Sequence, residues 1–254
     1  MSKRYMPVFV VFSLLGALLL GSCDNIFSTT WGTPREYDPS KITLSPDNLD
    51  AWVEQARKDP KLADAVLKKI KEKVDGATGA EKAKFQDAGV AMAVESAGIG
   101  NAIMGHLEDA LDLADESGDG QKDAVTNFFD KVKAEVSDNC AKAAEDITAI
   151  IKLEGNPPKF SDEFFAKAKD NPSTAIQAMM VLTLAELGDK TMEDIQSSGI
   201  AALDGLSLNG SHIEVDSNAS DGAKVLAAYI NMIVDGGFEG NAILGSIRDM
   251  MLNN

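Results

Sequence analysis

Apolar residues recur at helical spacing along nearly the whole chain. In residues 47–58, Leu49, Trp52, Val53 and Ala56 form one stripe, and Asp47 stands where it would cap the start. Asp59-Pro60 closes that helix and opens a second, because proline suits a first turn and removes only an amide that would be unpaired there. The second helix runs to about residue 74, with Leu62, Ala65, Val66, Leu67 and Ile70 inward and Lys68, Lys69, Lys71 and Lys73 outward. Residues 80–98 predict a third helix. Its many small residues (Ala83, Ala88, Gly89, Ala91, Ala93, Ala97) allow neighbours to approach closely. Gly98 and Gly100 end it, and Asn101 is placed to cap a fourth helix over residues 102–116. From Val125 through Phe129, Val132, Val136, Cys140, Ala143, Ile147 and Ile150 the apolar steps are all three or four, which predicts one long helix over residues 121–153, bent near Ser137-Asp138.

The second half repeats the first. Phe164 to Pro172 resembles Trp52 to Pro60 at an offset of 112 residues. Gly240-Asn241-Ala242-Ile243-Leu244-Gly245 resembles Gly100-Asn101-Ala102-Ile103-Met104-Gly105 at an offset of 140 residues, and Ala83, Lys84, Ala88, Met92 and Val94 match Ala223, Lys224, Ala228, Met232 and Val234 at the same offset. The 28-residue difference predicts an insertion between the second and third helices of the second half. Residues 173–187 are apolar nearly all round and are expected at the centre. Within the insertion, residues 191–203 predict a short helix. Leu206-Ser207-Leu208, a turn at Asn209-Gly210, then residues 211–215 predict a β-hairpin. Residues 221–235 and 241–252 predict the last two helices. The fold class that follows is all-α, with one small hairpin insertion. It is either a helical repeat (an α-solenoid of tetratricopeptide-like helix pairs) or a duplicated helical bundle, with halves of about 47–155 and 159–254. Residues 108–114 resemble the second helix of a tetratricopeptide repeat, although the small-residue spacing before them is one residue longer than that pattern wants and no strict repeat period runs through the chain.

The first residues change the picture. Lys3 and Arg4 precede an apolar run over residues 6–20, too short for a membrane span and of signal-peptide length. It ends in Leu20-Gly21-Ser22-Cys23, which resembles the processing site of bacterial lipoproteins. That resemblance implies cleavage after residue 22, acylation of Cys23, and a protein of the cell envelope held to a membrane by a lipid anchor, facing the periplasm or the cell exterior. Residues 23–46, rich in Ser, Thr and Pro, read as a tether before a helical domain over residues 47–254. Loss of Lys3 and Arg4 with the leader takes the formal charge from −16 to −18, which argues against nucleic acid as a partner. Cys140 is then the one thiol left, so no intrachain disulfide is expected.

The chain offers little catalytic chemistry. His106 and His212 are its histidines, neither with a second His or Cys at i+4, and Ser246 replaces His106 in the second copy of the repeat. Phosphate-loop, nucleophile-elbow and dinucleotide patterns are missing from the sequence, so the expectation is a protein without enzymatic activity and without a cofactor. One loop suggests a metal. Asp115, Ser117, Asp119 and Asp123 occupy positions one, three, five and nine of a calcium loop with Gly120 at six, but Thr126 stands where a bidentate glutamate is needed. The hairpin, present in one half alone, is the expected partner-binding element through Leu206, Leu208, Asn209, Gly210, His212 and Ile213. The layout is also similar to the helical-repeat T-component lipoproteins associated with TRAP-type transporters: a lipidation site, a tether, degenerate helix pairs and the Asp59-Pro60-Lys61-Leu62 helix start. That resemblance implies an extracytoplasmic partner protein that binds small solutes. The two functions expected are a scaffold that binds another protein and a carrier of small or apolar ligands, for which Met179, Met180, Met232, Phe238 and Met250 are candidate cavity residues.

Overall fold

A computed structural model of the chain describes residues 39–106, 119–155, 157–191, 194 and 198–235. It is all-α with one two-stranded antiparallel sheet. The helices are α1 (Leu49–Ala56), α2 (Pro60–Gly76), α3 (Gly79–Ser96), α4 (Ile99–Gly105), α5 (Asp119–Ile150), α6 (Asp162–Asp170), α7 (Pro172–Leu187) and α8 (Asp221–Val234). Strands β1 (Leu206–Asn209) and β2 (His212–Val215) lie between α7 and α8.

The helix starts follow the proline signals. Pro60 and Pro172 both occupy the first turn of their helices, and the Asp59 carboxylate accepts from the amides of Lys61 and Leu62. Two other expected caps are corrected. Asp47 does not cap α1. Asn48 precedes that helix, and its Oδ1 accepts the Ser45 amide 2.8 Å away, bracing the turn before the helix. Asn101 lies inside α4 rather than before it, because Gly98, at φ +72°, already breaks the chain direction and lets the next helix begin at Ile99. The body also begins earlier than residue 47. Ile42 and Leu44 are buried, and Lys84 Nζ donates to the Pro46 carbonyl, so the last part of the expected tether belongs to the core.

The two halves share one continuous core rather than a chain of separate repeats. Helix α3 packs on α2 and α5, and also on α6 and α7 of the second half. The 32-residue α5, about 48 Å long at 1.5 Å per residue, runs against α2, α3, α4, α7 and α8. In a solenoid each unit touches only its neighbours. Contacts across the midpoint make this a duplicated bundle. α7 is central as its composition requires, with Ile176, Met179, Val181, Leu182 and Leu187 all buried.

The repeated positions differ in how they fill space. Ala83 and Ala223, and Met92 and Met232, are buried in both copies. Gly89 and Tyr229 occupy equivalent places with opposite solutions. At Gly89 an added Cβ would sit 2.8 Å from Ile150 Cδ1 and 2.9 Å from Ile70 Cγ2, so α2 and α5 close directly onto the α3 backbone. Tyr229 instead fills the gap with a fully buried ring, edge-on to Phe160 at 4.7 Å, and Phe160 in turn meets Phe164 at 5.1 Å.

Two polar contacts between helices involve buried side chains. Lys71 on α2 pairs with the buried Asp146 on α5. Gln86 on α3 donates to the Ile150 carbonyl at the end of α5, 3.1 Å away. Asp87, half-buried on α3, has its carboxyl pushed up by burial, opposed by Lys167 and reinforced by Asp170 and Asp50. The folded protein therefore holds that proton more tightly than the unfolded chain does. The resulting stability is present below the ordinary carboxylate range and is lost as pH rises through the folded value. Asp87→Asn is accordingly expected to raise Tm by a few degrees near pH 7. The gap to wild type should close as the pH falls toward 3, read by thermal melts across that range. A gap that stays constant with pH would show that Asp87 ionisation does not affect stability.

Candidate functional site: the inserted hairpin

The insertion is braced from both sides. Asp194 braces the turn at Thr191, its carboxylate accepting from the Thr191 amide at 2.8 Å and hydroxyl at 3.1 Å, which holds the Asp194 carboxyl below its ordinary pKa. Lys133 on α5 donates to the Lys190 carbonyl, and Lys190 Nζ donates to Ala202 O at 2.5 Å and Asp204 Oδ1 at 2.7 Å. A short 3-10 turn, Gly199–Ala202, then leads into β1.

The register is Leu206 with Val215, Ser207 with Glu214, Leu208 with Ile213 and Asn209 with His212. The two turn residues are therefore Gly210 and Ser211, one position later than the Asn-Gly pair suggests. The reason is conformational. A two-residue hairpin turn of the type favoured by Asn-Gly needs positive φ at both central positions. Here Gly210 is at φ +62° and no non-glycine residue has positive φ among the described residues, which fits the alternative turn with glycine first. Asn209 thus closes the ladder and donates its side-chain amide to Glu214 Oε1 at 2.5 Å.

One face of the hairpin carries Leu206, Leu208, Ile213 and Val215, and the other carries Ser207, Asn209, His212 and Glu214. β2 packs on α8, and β1 packs on the 3-10 turn Gly199–Ala202. Leu206 and Ile213 are buried and hold the hairpin to the body. Asn209, Gly210 and His212 are exposed, and Leu208, at 40% exposure, is the most exposed large hydrophobic side chain among the described residues.

Two contacts from α8 fix the hairpin, and sequence reasoning missed both. Asn231 Oδ1 accepts the Ile213 amide at 2.7 Å while Asn231 Nδ2 donates to the Ile213 carbonyl at 2.9 Å. His212 Nε2 lies 2.8 Å from Asp235 Oδ1, and Ser211 Oγ lies 3.4 Å from His212 Nδ1. Serine, imidazole and carboxylate in a row have the residue types of an acyl-transfer relay. Their setting is different. The Ser–His separation exceeds the reach of a proton-transfer hydrogen bond, and His212 and Asp235 are half-exposed, where water competes for both. The arrangement latches the hairpin to the end of α8.

Other candidates fall elsewhere. His106 Nε2 lies 3.2 Å from Glu135 Oε2 and joins α4 to α5. Cys140 is buried on α5, and burial pushes its thiol up to about 12, which leaves it protonated and unreactive. Of the calcium-loop residues, Asp119 and Asp123 are one turn apart on the described part of α5, and Asp115 and Ser117 lie outside the described residues. No three His, Cys, Asp or Glu side chains converge on a metal position among the described residues. Met179, Met180 and Met232 are buried in the continuous core. Cys23, residues 24–38, Phe238, Met250 and the predicted final helix lie outside the described residues. No family model, curated protein or solved structure matches the chain.

Proposed function

We propose that this chain is a membrane-anchored, extracytoplasmic lipoprotein, held to the bilayer through Cys23, whose helical bundle presents the inserted hairpin to a partner protein. The reading rests on one observation above the others. A hairpin found in one half alone among the described residues is fixed by Asn231, by His212–Asp235 and by two buried apolar residues, yet carries Leu208 exposed beside its tip. A rigid scaffold that exposes a small, specific element is how binding surfaces are commonly built. The leader and the Leu20-Gly21-Ser22-Cys23 sequence support the anchoring. The acidic chain favours a protein partner with a basic surface over nucleic acid.

Affinity capture with the protein in its native membrane extract tests the proposal. Deletion of residues 206–215, with the flanking ends rejoined, is expected to abolish capture of the partner while the helical circular dichroism is retained. Capture that survives the deletion would overturn the assignment of the hairpin. Globomycin-insensitive processing, or mature protein lacking acyl chains by mass spectrometry, would overturn the anchor.

A further inference from the structure

We infer that the outer edge of β1, at Leu208, accepts an extended strand of the partner in which apolar and basic residues alternate. The inference rests on the hairpin being the partner-binding element. In a two-residue hairpin the residues flanking the turn are hydrogen-bonded to each other and the next pair is not, so the N–H and C=O of Leu208 and Ile213 point away from the ladder. The two edges are then treated differently. On β2, the Asn231 carboxamide occupies the Ile213 amide and carbonyl together, as a neighbouring strand would. On β1, the Leu206 amide is used locally by the Leu203 carbonyl at 3.3 Å, but nothing among the described residues pairs with the amide or carbonyl of Leu208. Ser207, Leu208 and Asn209 are all exposed. An open edge with an exposed apolar side chain is a template for strand addition, in which main-chain bonds give affinity and alternate side chains give selectivity.

Charge and alternation define the occupant. Residues 203–221 contain Asp204, Glu214, Asp216 and Asp221 and no Lys or Arg. Lys190 and Lys224 from the flanking segments pair with Asp204 and Asp221. Glu214 and Asp216 have no cationic partner among the described residues, and the whole chain is strongly acidic. A strand laid along β1 places every second side chain beside Leu208 on the apolar face. The others lie beside Ser207 and Asn209, with Glu214 one strand away on the same face. Apolar residues fit the first set and lysine or arginine the second.

The probe is a short fluorescent peptide alternating valine and lysine, titrated by anisotropy into the full chain lacking its leader. Saturable binding is expected. It should weaken by at least about tenfold when the peptide's central amides are N-methylated, because the protein is unchanged and only the strand pairing is lost. Leu208→Pro should do the same, since an outward amide on an edge can be removed without breaking the ladder. A glycine–lysine peptide of equal charge should bind weakly. Equal binding by the N-methylated peptide would overturn the proposal and leave a purely electrostatic contact. A dimer seen by sedimentation without peptide, and lost in Leu208→Pro, would overturn it in favour of pairing between two copies. A partner whose capture needs residues 206–215 but is indifferent to Leu208→Pro would overturn strand addition while leaving the hairpin as the binding element.

Discussion

Replacing Tyr229 with alanine is expected to lower the stability of the fold by about 3–5 kcal/mol, the range for removing a large buried ring. Tyr229 is the largest fully buried side chain among the described residues and packs edge-on against Phe160, which couples α8 to the segment before α6. The equivalent place in the first half is Gly89, where α2 and α5 close onto the backbone. α8 has been spaced for a ring, so its neighbours cannot collapse to the glycine solution without a general shift. Urea denaturation followed at 222 nm should show a lower midpoint with an unchanged slope. A loss below about 1 kcal/mol would mean that the surroundings repack freely and the core is not close-packed there.

Gly205→Ala is expected to cost about 2–4 kcal/mol, confined largely to the insertion. Gly205 is at φ +78°, and a Cβ there would meet the Ala219 Cβ at 2.7 Å and its Cα at 2.8 Å. Two penalties add: a left-handed conformation that alanine resists, and a clash with backbone that cannot swing aside. The Gly205 carbonyl also accepts the Asp216 amide at 2.9 Å, closing the base of the hairpin. Hydrogen exchange should therefore accelerate at β1 and β2 while α3, α5 and α7 keep their protection. Gly210→Ala is the built-in comparison. Its φ is +62° but its surroundings are open, so only the conformational part, about 1 kcal/mol, is expected. Equal effects at the two glycines would show that the Ala219 contact contributes nothing.

Much of the architecture was legible because it is written in local rules. Asp59-Pro60 and Asn171-Pro172 mark the same helix junction in both halves, and the apolar period from Val132 to Ile150 marks α5. The unequal offsets located the insertion. What local rules misjudged was competition between adjacent signals. Gly98 and Asn101 both signal a helix boundary, and the glycine acts while the asparagine is absorbed into α4. Asn209 and Gly210 form a strong turn pair, yet Asn209 joins the ladder and the turn passes to Gly210-Ser211. Moving the turn by one residue shifts the pairing by two, so each strand keeps its faces and only the cross-strand partners change. Under the expected turn Leu208 would lie opposite Ser211; in the structure it lies opposite Ile213. The site itself was only half legible. The hairpin could be seen, but its anchors, Asn231 and Asp235, are far along the chain and unremarkable on a helix surface until α8 is packed. The choice between solenoid and bundle likewise depended on α3 meeting α6 and α7, which no periodicity encodes.

That last packing has a consequence for the order in which the molecule is made. α3 is complete at Ser96, but the helices that cover its far side end at Asp170 and Leu187. At 5–20 residues per second, roughly 90 further residues take about 5–20 s to synthesise. Throughout that interval the surface of α3 that will meet the second half has no native cover. A helical protein is usually quick to fold because its contacts are local. This one cannot complete its core until its own C-terminal half is present.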